Sequence, residues 1–290
     1  MKAYNKKIGL IVVIIFLIPL ISFGVLTSFY GTSPKKSEDS LKTAANIHTS
    51  ASNVSILVYS QYADELRELP NTIQAINDSY GTEYYYENLT DYTNLNTELP
   101  GHDILLIPEQ EYASYFQLET IGNAWAATLT TFVIKGGIVI LLDHHWGSGG
   151  TLLIYNASGL MEIYGSTSIS GLDVYVVKAY DPLAADVSST FIAPAGSLSF
   201  NTTETTSVVD DGINPMVVHK VLGNGHIVLL GFDFFDIESN CSTILGNSIR
   251  LTLLSNGSGG LVISFGSIYL IITLISIISL VGLQKRLKYK

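Results

Sequence analysis

Residues 132–143 read FVIKGGIVILLD, and this stretch decides the fold class. Its first residues close a run beginning at Tyr112 that has the length and apolar period of a helix. Gly136 and Gly137 end that helix, and Ile138–Leu142 follow as a strand in which every residue is apolar. A strand without polar alternation is buried on both faces, which is typical of a parallel sheet covered by helices.

The same alternation of apolar strands and helices extends on both sides of this stretch. The sequence predicts strands at 54–59, 82–87, 103–107, 138–142, 172–177, 216–222 and 226–231, and helices at 69–80, 112–134 and 239–254. Gly223-Asn224-Gly225 separates the last two strands and predicts a hairpin turn. We therefore predict an α/β domain with a mainly parallel sheet between helices and an antiparallel edge.

Two long apolar runs flank the predicted domain. Residues 8–29 and 261–283 contain no charged residue, and each run is long enough to cross a bilayer as a helix. We predict a membrane anchor or signal sequence at 1–30 and a transmembrane helix at 261–283. Their outer flanks carry only basic charges, so both termini are assigned to the cytoplasm if the first run is uncleaved. The intervening region then lies outside the cell membrane.

The predicted organisation assigns each remaining segment a role. Residues 31–52 are a polar stalk, 53–254 an extracellular α/β domain, 255–260 a flexible joint and 284–290 a basic cytoplasmic tail. Eight Lys and Arg and all 25 Asp and Glu lie between the apolar runs, a balance of −17. Such a charge repels polyanions and excludes a nucleic-acid partner.

Potential N-glycosylation sites support an extracellular assignment. Seven N-x-S/T sequons occur, all between the apolar runs: Asn53, Asn77, Asn88, Asn156, Asn201, Asn240 and Asn256. The single cysteine, Cys241, permits no intrachain disulfide.

Polar residues follow the predicted strands at the edge where parallel sheets bind ligands. The candidate ligand-binding residues are Ser60, Glu109, Asp143 and Asp233. Asp143, His144 and His145 could bind a divalent metal ion together with Glu109 or Asp233. In the alternative interpretation, Asp143 caps the next helix and the two histidines lie at a solvated rim.

Other polar clusters have structural interpretations. We expect His102, His219 and His226 to be isolated, with surface or structural roles. In Asp233-Phe234-Phe235-Asp236 the aromatic pair is expected to anchor the loop, with Asp236 or Ser239 capping the helix that follows.

The order of elements resembles the class I glutamine amidotransferase-like superfamily, a flavodoxin-like three-layer sandwich. The segments that carry this resemblance are HDILLIPEQE (102–111), FVIKGGIVILLD (132–143), GNGHIVLLGFDFFD (223–236) and LGNSIRLTLL (245–254). The similarity is closest to non-catalytic branches, the ThuA-like, DUF4350-like and Gld-type ABC-transporter-associated domains. An active member needs a cysteine after the strand at 138–142, and residues 143–150 (DHHWGSGG) contain none.

Two functional hypotheses follow from these observations. The first is a membrane-anchored binding or accessory module for a transporter or the cell envelope, without a cofactor, that takes a protein partner or small ligand at the strand ends. A fully solvated edge would favour the protein partner. The alternative is a metal-assisted extracellular hydrolase that uses Asp143 with His144 or His145, and it requires the carboxyl and imidazole groups to converge within about 8 Å.

Overall fold

The computed structural model describes residues 53–144, 150–204 and 206–256 of the chain. Eleven strands occur in these residues: β1 (Val54–Tyr59), β2 (Tyr84–Leu89), β3 (Ile104–Ile107), β4 (Ile138–Leu142), β5 (Ile163–Ser168), β6 (Asp173–Val176), β7 (Thr190–Ile192), β8 (Leu198–Thr202), β9 (Ser207–Asp210), β10 (Pro215–Leu222) and β11 (Gly225–Leu230). The α-helices of the same residues are α1 (Glu68–Ser79), α2 (Leu95–Glu98), α3 (Tyr115–Ile134), α4 (Leu153–Ser158) and α5 (Ser239–Asn256).

Five strands form a parallel sheet in the order β2-β1-β3-β4-β11. This order places the first strand second from the edge, and the last strand of the domain beside β4, as in flavodoxin-like folds. The predicted elements agree with the structure to within three residues at each end. The α/β class and the parallel core of the sheet are therefore confirmed.

The antiparallel part of the sheet is larger than the predicted edge. Beyond β11 the strands continue in the order β10-β9-β6-β7, all antiparallel to their neighbours. The predicted hairpin joins β10 to β11 through Gly223 and Asn224, and Gly223 has φ +63°. Strands β5 and β8 form a separate two-stranded sheet.

Helices cover both faces of the parallel strands, so the domain has three layers. Alternate residues of β1, such as Ile56 and Leu57, belong to the two different apolar clusters. One cluster includes residues of α1 and α5, and the other includes residues of α3 and α4. Burial on both faces explains why the parallel strands carry continuous apolar runs.

Tyr155 of α4 ties two parallel strands together within the core. Its hydroxyl lies 2.9 Å from the carbonyl oxygen of Val139 in β4 and 2.8 Å from that of Val228 in β11. Tyr155 is fully buried, and burial raises the pKa of its hydroxyl well above the ordinary value. The hydroxyl therefore remains a protonated donor, and it fixes α4 over the junction of β4 and β11.

Both predicted membrane segments, 8–29 and 261–283, lie outside the described residues. Among the helices that the structure does describe, none combines the length and apolarity needed to cross a membrane. The flanking transmembrane helices therefore remain a prediction from the sequence.

Candidate functional site

The carboxyl ends of the parallel strands bring the predicted polar residues to one edge of the sheet. Ser60 follows β1, Glu109 follows β3, and Asp143 directly follows β4. Asp233 lies three residues beyond β11. All four side chains are buried, which distinguishes this edge from a solvated surface.

Asp143 holds the loop that leads into α4. Its Oδ1 accepts hydrogen bonds from the backbone N–H groups of His144, Gly150 and Thr151, at 3.0–3.1 Å, and Oδ2 accepts one from Leu152 at 3.4 Å. Burial raises the pKa of Asp143 to about 7, against the opposing effect of these four donors. Asp143 thus holds the loop before α4 but does not cap the helix, because the N-cap residue is Leu152 and no side chain accepts a capping hydrogen bond there. Its predicted metal or ligand-binding role stays a prediction.

His144 lies inside the domain, so its predicted position at a solvated rim is wrong. Only 2% of the residue is exposed, and its Nε2 is 3.2 Å from Oε1 of Glu111. His145, the other histidine of the predicted metal set, lies outside the described residues.

Glu68, Glu111 and His144 converge on one point at the strand-end edge. Each side chain offers one ligand atom, and the three atoms lie within 4.8 Å of one another. Glu68 begins α1, nine residues beyond the end of β1, whereas Glu111 lies in the loop after β3. Neither glutamate stands at the end of a strand in the sequence, so neither was among the predicted ligand-binding residues. The second acid in Glu109-Gln110-Glu111 was the one signal that could have indicated Glu111.

Glu109 lies within the same acidic group and is 1% exposed. Within the described part of the chain, neither of its carboxylate oxygens has a hydrogen-bond partner. Burial raises its pKa well above the ordinary value, and the charges of Glu68 and Asp233 raise it further. Burial also raises the pKa of Glu68 to about 8, with a further contribution from the charge of Glu111. The site thus brings together several buried carboxyl groups whose negative charges repel one another.

Asp233 completes the acidic group from the β11 side. Its Oδ1 accepts a hydrogen bond of 2.6 Å from the backbone N–H of Phe235, and burial raises its pKa. The backbone of Gly196 packs directly against its carboxylate: a Cβ placed on Gly196 would lie 2.7 Å from Asp233 Cγ.

The residues after Asp233 differ in part from their predicted roles. Phe234 is buried, as expected for an anchor, whereas Phe235 is 43% exposed and carries the Arg67 guanidinium over its ring. Asp236 forms an ion pair of 3.2 Å with Arg67. Capping by Asp236 or Ser239 is wrong, because Glu238 Oε2 accepts the hydrogen bond from the N–H of Cys241 in the first turn of α5.

Cys241 is buried in the apolar cluster beneath α5. Burial and the charge of Glu238 raise the pKa of its thiol well above the ordinary value. A thiol with a raised pKa is a poor nucleophile, so Cys241 does not substitute for the cysteine missing after β4.

His219 and His226 are not isolated, contrary to prediction. His219 Nε2 is 2.9 Å from His226 Nδ1, and His219 Nδ1 is 2.8 Å from Oδ1 of buried Asp181. Lys178 also contacts Asp181, at 3.3 Å. The two histidines lie on β10 and β11 and form a hydrogen-bonded chain with one buried carboxylate.

The hydrogen bonds that link His226, His219 and Asp181 predict a specific pH dependence of the free energy of unfolding. Burial, followed by the charge of His219, lowers the pKa of His226 to about 4. An unfolded histidine binds its proton near pH 6.5, so the contribution of His226 is complete above that pH and is lost as the pH falls towards 4. The carboxyl groups of Glu68, Glu109 and Asp143 have raised pKa values and act with the opposite sign, so we consider only the difference between wild type and variant.

We expect His226→Gln to reduce the loss of stability between pH 6.5 and 4, because glutamine binds no proton in this range, whereas its amide can donate or accept in the hydrogen bond with His219. Urea unfolding at several pH values provides the measurement. An unchanged difference in unfolding free energy across this range would contradict the prediction.

The sequon asparagines differ in their surroundings. Asn53, Asn88 and Asn201 are exposed. Asn156 uses its amide in two hydrogen bonds of 2.7 Å to the backbone of Ile163, so its Nδ2 is engaged in the folded domain. The Asn256 side chain lies outside the description.

Comparison with known proteins gives no family assignment. No protein-family model matches the chain, and no curated protein matches it. Solved structures similar to it include a ThuA-like protein of Bacteroides uniformis, with 14% identity, a TM-score of 0.48, and 76% of this chain and 95% of that chain covered.

Two further solved structures resemble the same fold. A cytoplasmic protein of Salmonella typhimurium LT2 has 12% identity and a TM-score of 0.47, with 68% of this chain and 98% of that chain covered. A β-galactosidase of Bacillus circulans has 10% identity and a TM-score of 0.43, with 71% and 31% covered. At these identities and TM-scores the similarities say nothing about the activity of this chain.

Proposed function

We propose that this domain is a binding module that takes a small, positively charged or metal-containing ligand at the strand-end edge. The observation that supports this most strongly is Glu109, a fully buried carboxyl group without a hydrogen-bond partner in the described residues. Burying such a group is costly unless a proton, a cation or a donor satisfies it. A side chain with this cost is typical of a functional site.

The charge of the edge restricts the class of ligand. The edge is acidic: the ligand atoms of Glu68 and Glu111 lie within 4.8 Å of each other, and the charges of Glu68 and Asp233 raise the pKa of Glu109. Arg67, the base adjoining Glu68 in sequence, stacks on Phe235 and pairs with Asp236. Anionic ligands are therefore disfavoured. The buried polar groups also favour a small ligand over a protein partner at this edge.

A thermal-shift comparison with defined probes tests this proposal. We expect spermidine, ethanolamine or divalent cations to raise the melting temperature of the full-length protein in detergent, and phosphate and citrate to leave it unchanged. Glu111→Gln should reduce the shift, whereas Glu119→Gln, which changes an exposed acid on α3, should not. Stabilisation by the anions, or an equal shift in both variants, would refute the proposal.

The alternative of a metal-assisted hydrolase is weakened at Asp143, one of its predicted residues. Asp143 accepts hydrogen bonds from four backbone N–H groups of its own loop, and the three residues whose ligand atoms converge here, Glu68, Glu111 and His144, do not include it. The remaining support for this alternative is the contact of His144 with Glu111. We retain only the metal-binding part of that hypothesis.

The cellular setting is also proposed from sequence. We place the domain outside the cell membrane as an accessory to a transporter or the cell envelope, on the basis of the apolar runs, their basic flanks and the sequons. A membrane-impermeant lysine reagent applied to intact cells should label the domain lysines. Labelling only after lysis would contradict this location.

A further inference from the structure

We propose that Glu68, Glu111 and His144 form a binding site for one divalent metal ion of the Zn²⁺ or Mn²⁺ class, with Glu109 as a buried supporting carboxylate. This inference rests on the proposed function and specifies its ligand. It differs from the set predicted by sequence, because two glutamates replace Asp143 and His145.

The donor atoms already lie close to a metal-binding arrangement. All three are within 4.8 Å of one another, and His144 Nε2 is 3.2 Å from Glu111 Oε1. In a tetrahedral site with bonds of about 2.1 Å, neighbouring donors are about 3.4 Å apart. Small side-chain rotations therefore suffice to bring the third donor into place.

Glu109 provides an observation that does not depend on the three donors. It lies two residues before Glu111, it is buried, and neither of its carboxylate oxygens has a hydrogen-bond partner in the described residues. Near a metal centre, the charge of a buried carboxylate is compensated by the ion, or the carboxylate accepts a hydrogen bond from a metal ligand and orients that ligand. A compact dication would compensate several carboxyl groups at once.

The elements that carry the donors are fixed by contacts outside the site. Gln110, between the two glutamates, donates to the carbonyl oxygens of Tyr59 and Pro108, at 3.0 and 2.8 Å. Asp143 accepts a hydrogen bond from the backbone N–H of His144. These contacts hold the backbone beside Glu111 and at His144, so the site is preorganised on the ends of three elements.

The donor types favour a particular class of ion. Carboxylates alone would suit Mg²⁺ or Ca²⁺, whereas imidazole is a preferred ligand of Zn²⁺ and other transition metals. A mixed set of two carboxylates and one imidazole occurs in Zn²⁺ and Mn²⁺ sites. We therefore expect Mg²⁺ to bind more weakly than either ion.

Calorimetric titration of the metal-free, full-length protein with Zn²⁺ and with Mn²⁺ tests the site directly. We expect about one ion per chain, with at least a tenfold loss of affinity in Glu111→Gln and in His144→Asn, and a loss of about 10–100-fold in Glu109→Gln. Glu119→Gln is the matched control and should bind as wild type does. Thermal unfolding of each metal-free variant checks that it folds.

The outcomes separate this inference from the proposed function. Absence of metal binding by the wild type, or equal binding by the Glu111→Gln/His144→Asn double variant, would overturn the metal site. If spermidine still stabilised the protein through Glu111, the binding module would stand without the metal. If neither spermidine nor a metal bound, both proposals would fail. In the wild type, added Zn²⁺ should release bound Mn²⁺, and the electron paramagnetic resonance signal of Mn²⁺ should change accordingly. This readout needs no variant.

Discussion

Glu109→Met is expected to stabilise the metal-free protein by about 1–3 kcal/mol, whereas Gln110→Met is expected to destabilise it by about 3 kcal/mol or more. The two residues are adjacent and almost equally buried, at 1% and 2% exposed. Methionine removes the carboxyl group of Glu109, which has no hydrogen-bond partner in the described residues, and keeps a similar volume. The variant therefore loses a desolvation cost and gains an apolar contact.

Gln110 provides the opposite case because its amide is fully used. It donates to Tyr59 O and Pro108 O and accepts from Tyr62 N–H at 3.3 Å. Methionine at this position leaves buried backbone groups without partners, and each costs about 1–3 kcal/mol. Chemical denaturation of both variants provides the measurement. If Glu109→Met were as destabilising as Gln110→Met, Glu109 would serve the fold and not a ligand.

Gly196→Ala is expected to destabilise the domain by about 2–4 kcal/mol, through a backbone and a steric cost. Gly196 has φ +84°, a conformation that favours glycine. A Cβ at this position would also come within 2.8 Å of both Cβ and Cγ of Asp233. Because Phe235 N–H holds the Asp233 carboxylate, the side chain cannot simply rotate away.

Gly171→Ala is the control that measures the cost of the backbone conformation alone. It has φ +73°, and no atom lies within 4 Å of the position a Cβ would take. Gly171→Ala should therefore cost only about 1 kcal/mol. The difference between the two melting curves measures the contact of Gly196 with Asp233. Equal destabilisation would show that this contact has no energetic consequence.

The sequence predicted the parallel strands because both faces of each are apolar. Ile138–Leu142 matches β4 to the residue, and Val54–Tyr59 matches β1. Strands such as β7 and β9 are three and four residues long, and they lack this signal because their pairing depends on distant neighbours. The extent of the antiparallel region therefore could not be predicted.

The sequence predicted where the site lies in the fold, but not the role of each residue in it. Strand ends located Glu109, Asp143 and His144 at one edge, as the structure has them. The sequence could not show that Asp143 accepts hydrogen bonds from backbone N–H groups of the following loop, since this depends on the path of that loop. Glu68 reaches the edge from the first turn of a helix, and only the packing of α1 on the sheet determines that approach.

The position of β11 in the sheet has a consequence for folding. It is the last strand of the domain in sequence, yet its residues pair with residues of β4 that lie 88 positions earlier, and it separates the parallel from the antiparallel strands. Contacts this distant in sequence raise the contact order and slow the search for the native topology. During synthesis the apolar β4 presents an unpaired edge until residues 225–230 emerge, and such an edge can recruit another chain. A ribosome pause or a premature stop before residue 225 would thus yield an aggregation-prone product, and the hairpin that delivers β11 is the segment on which productive folding depends.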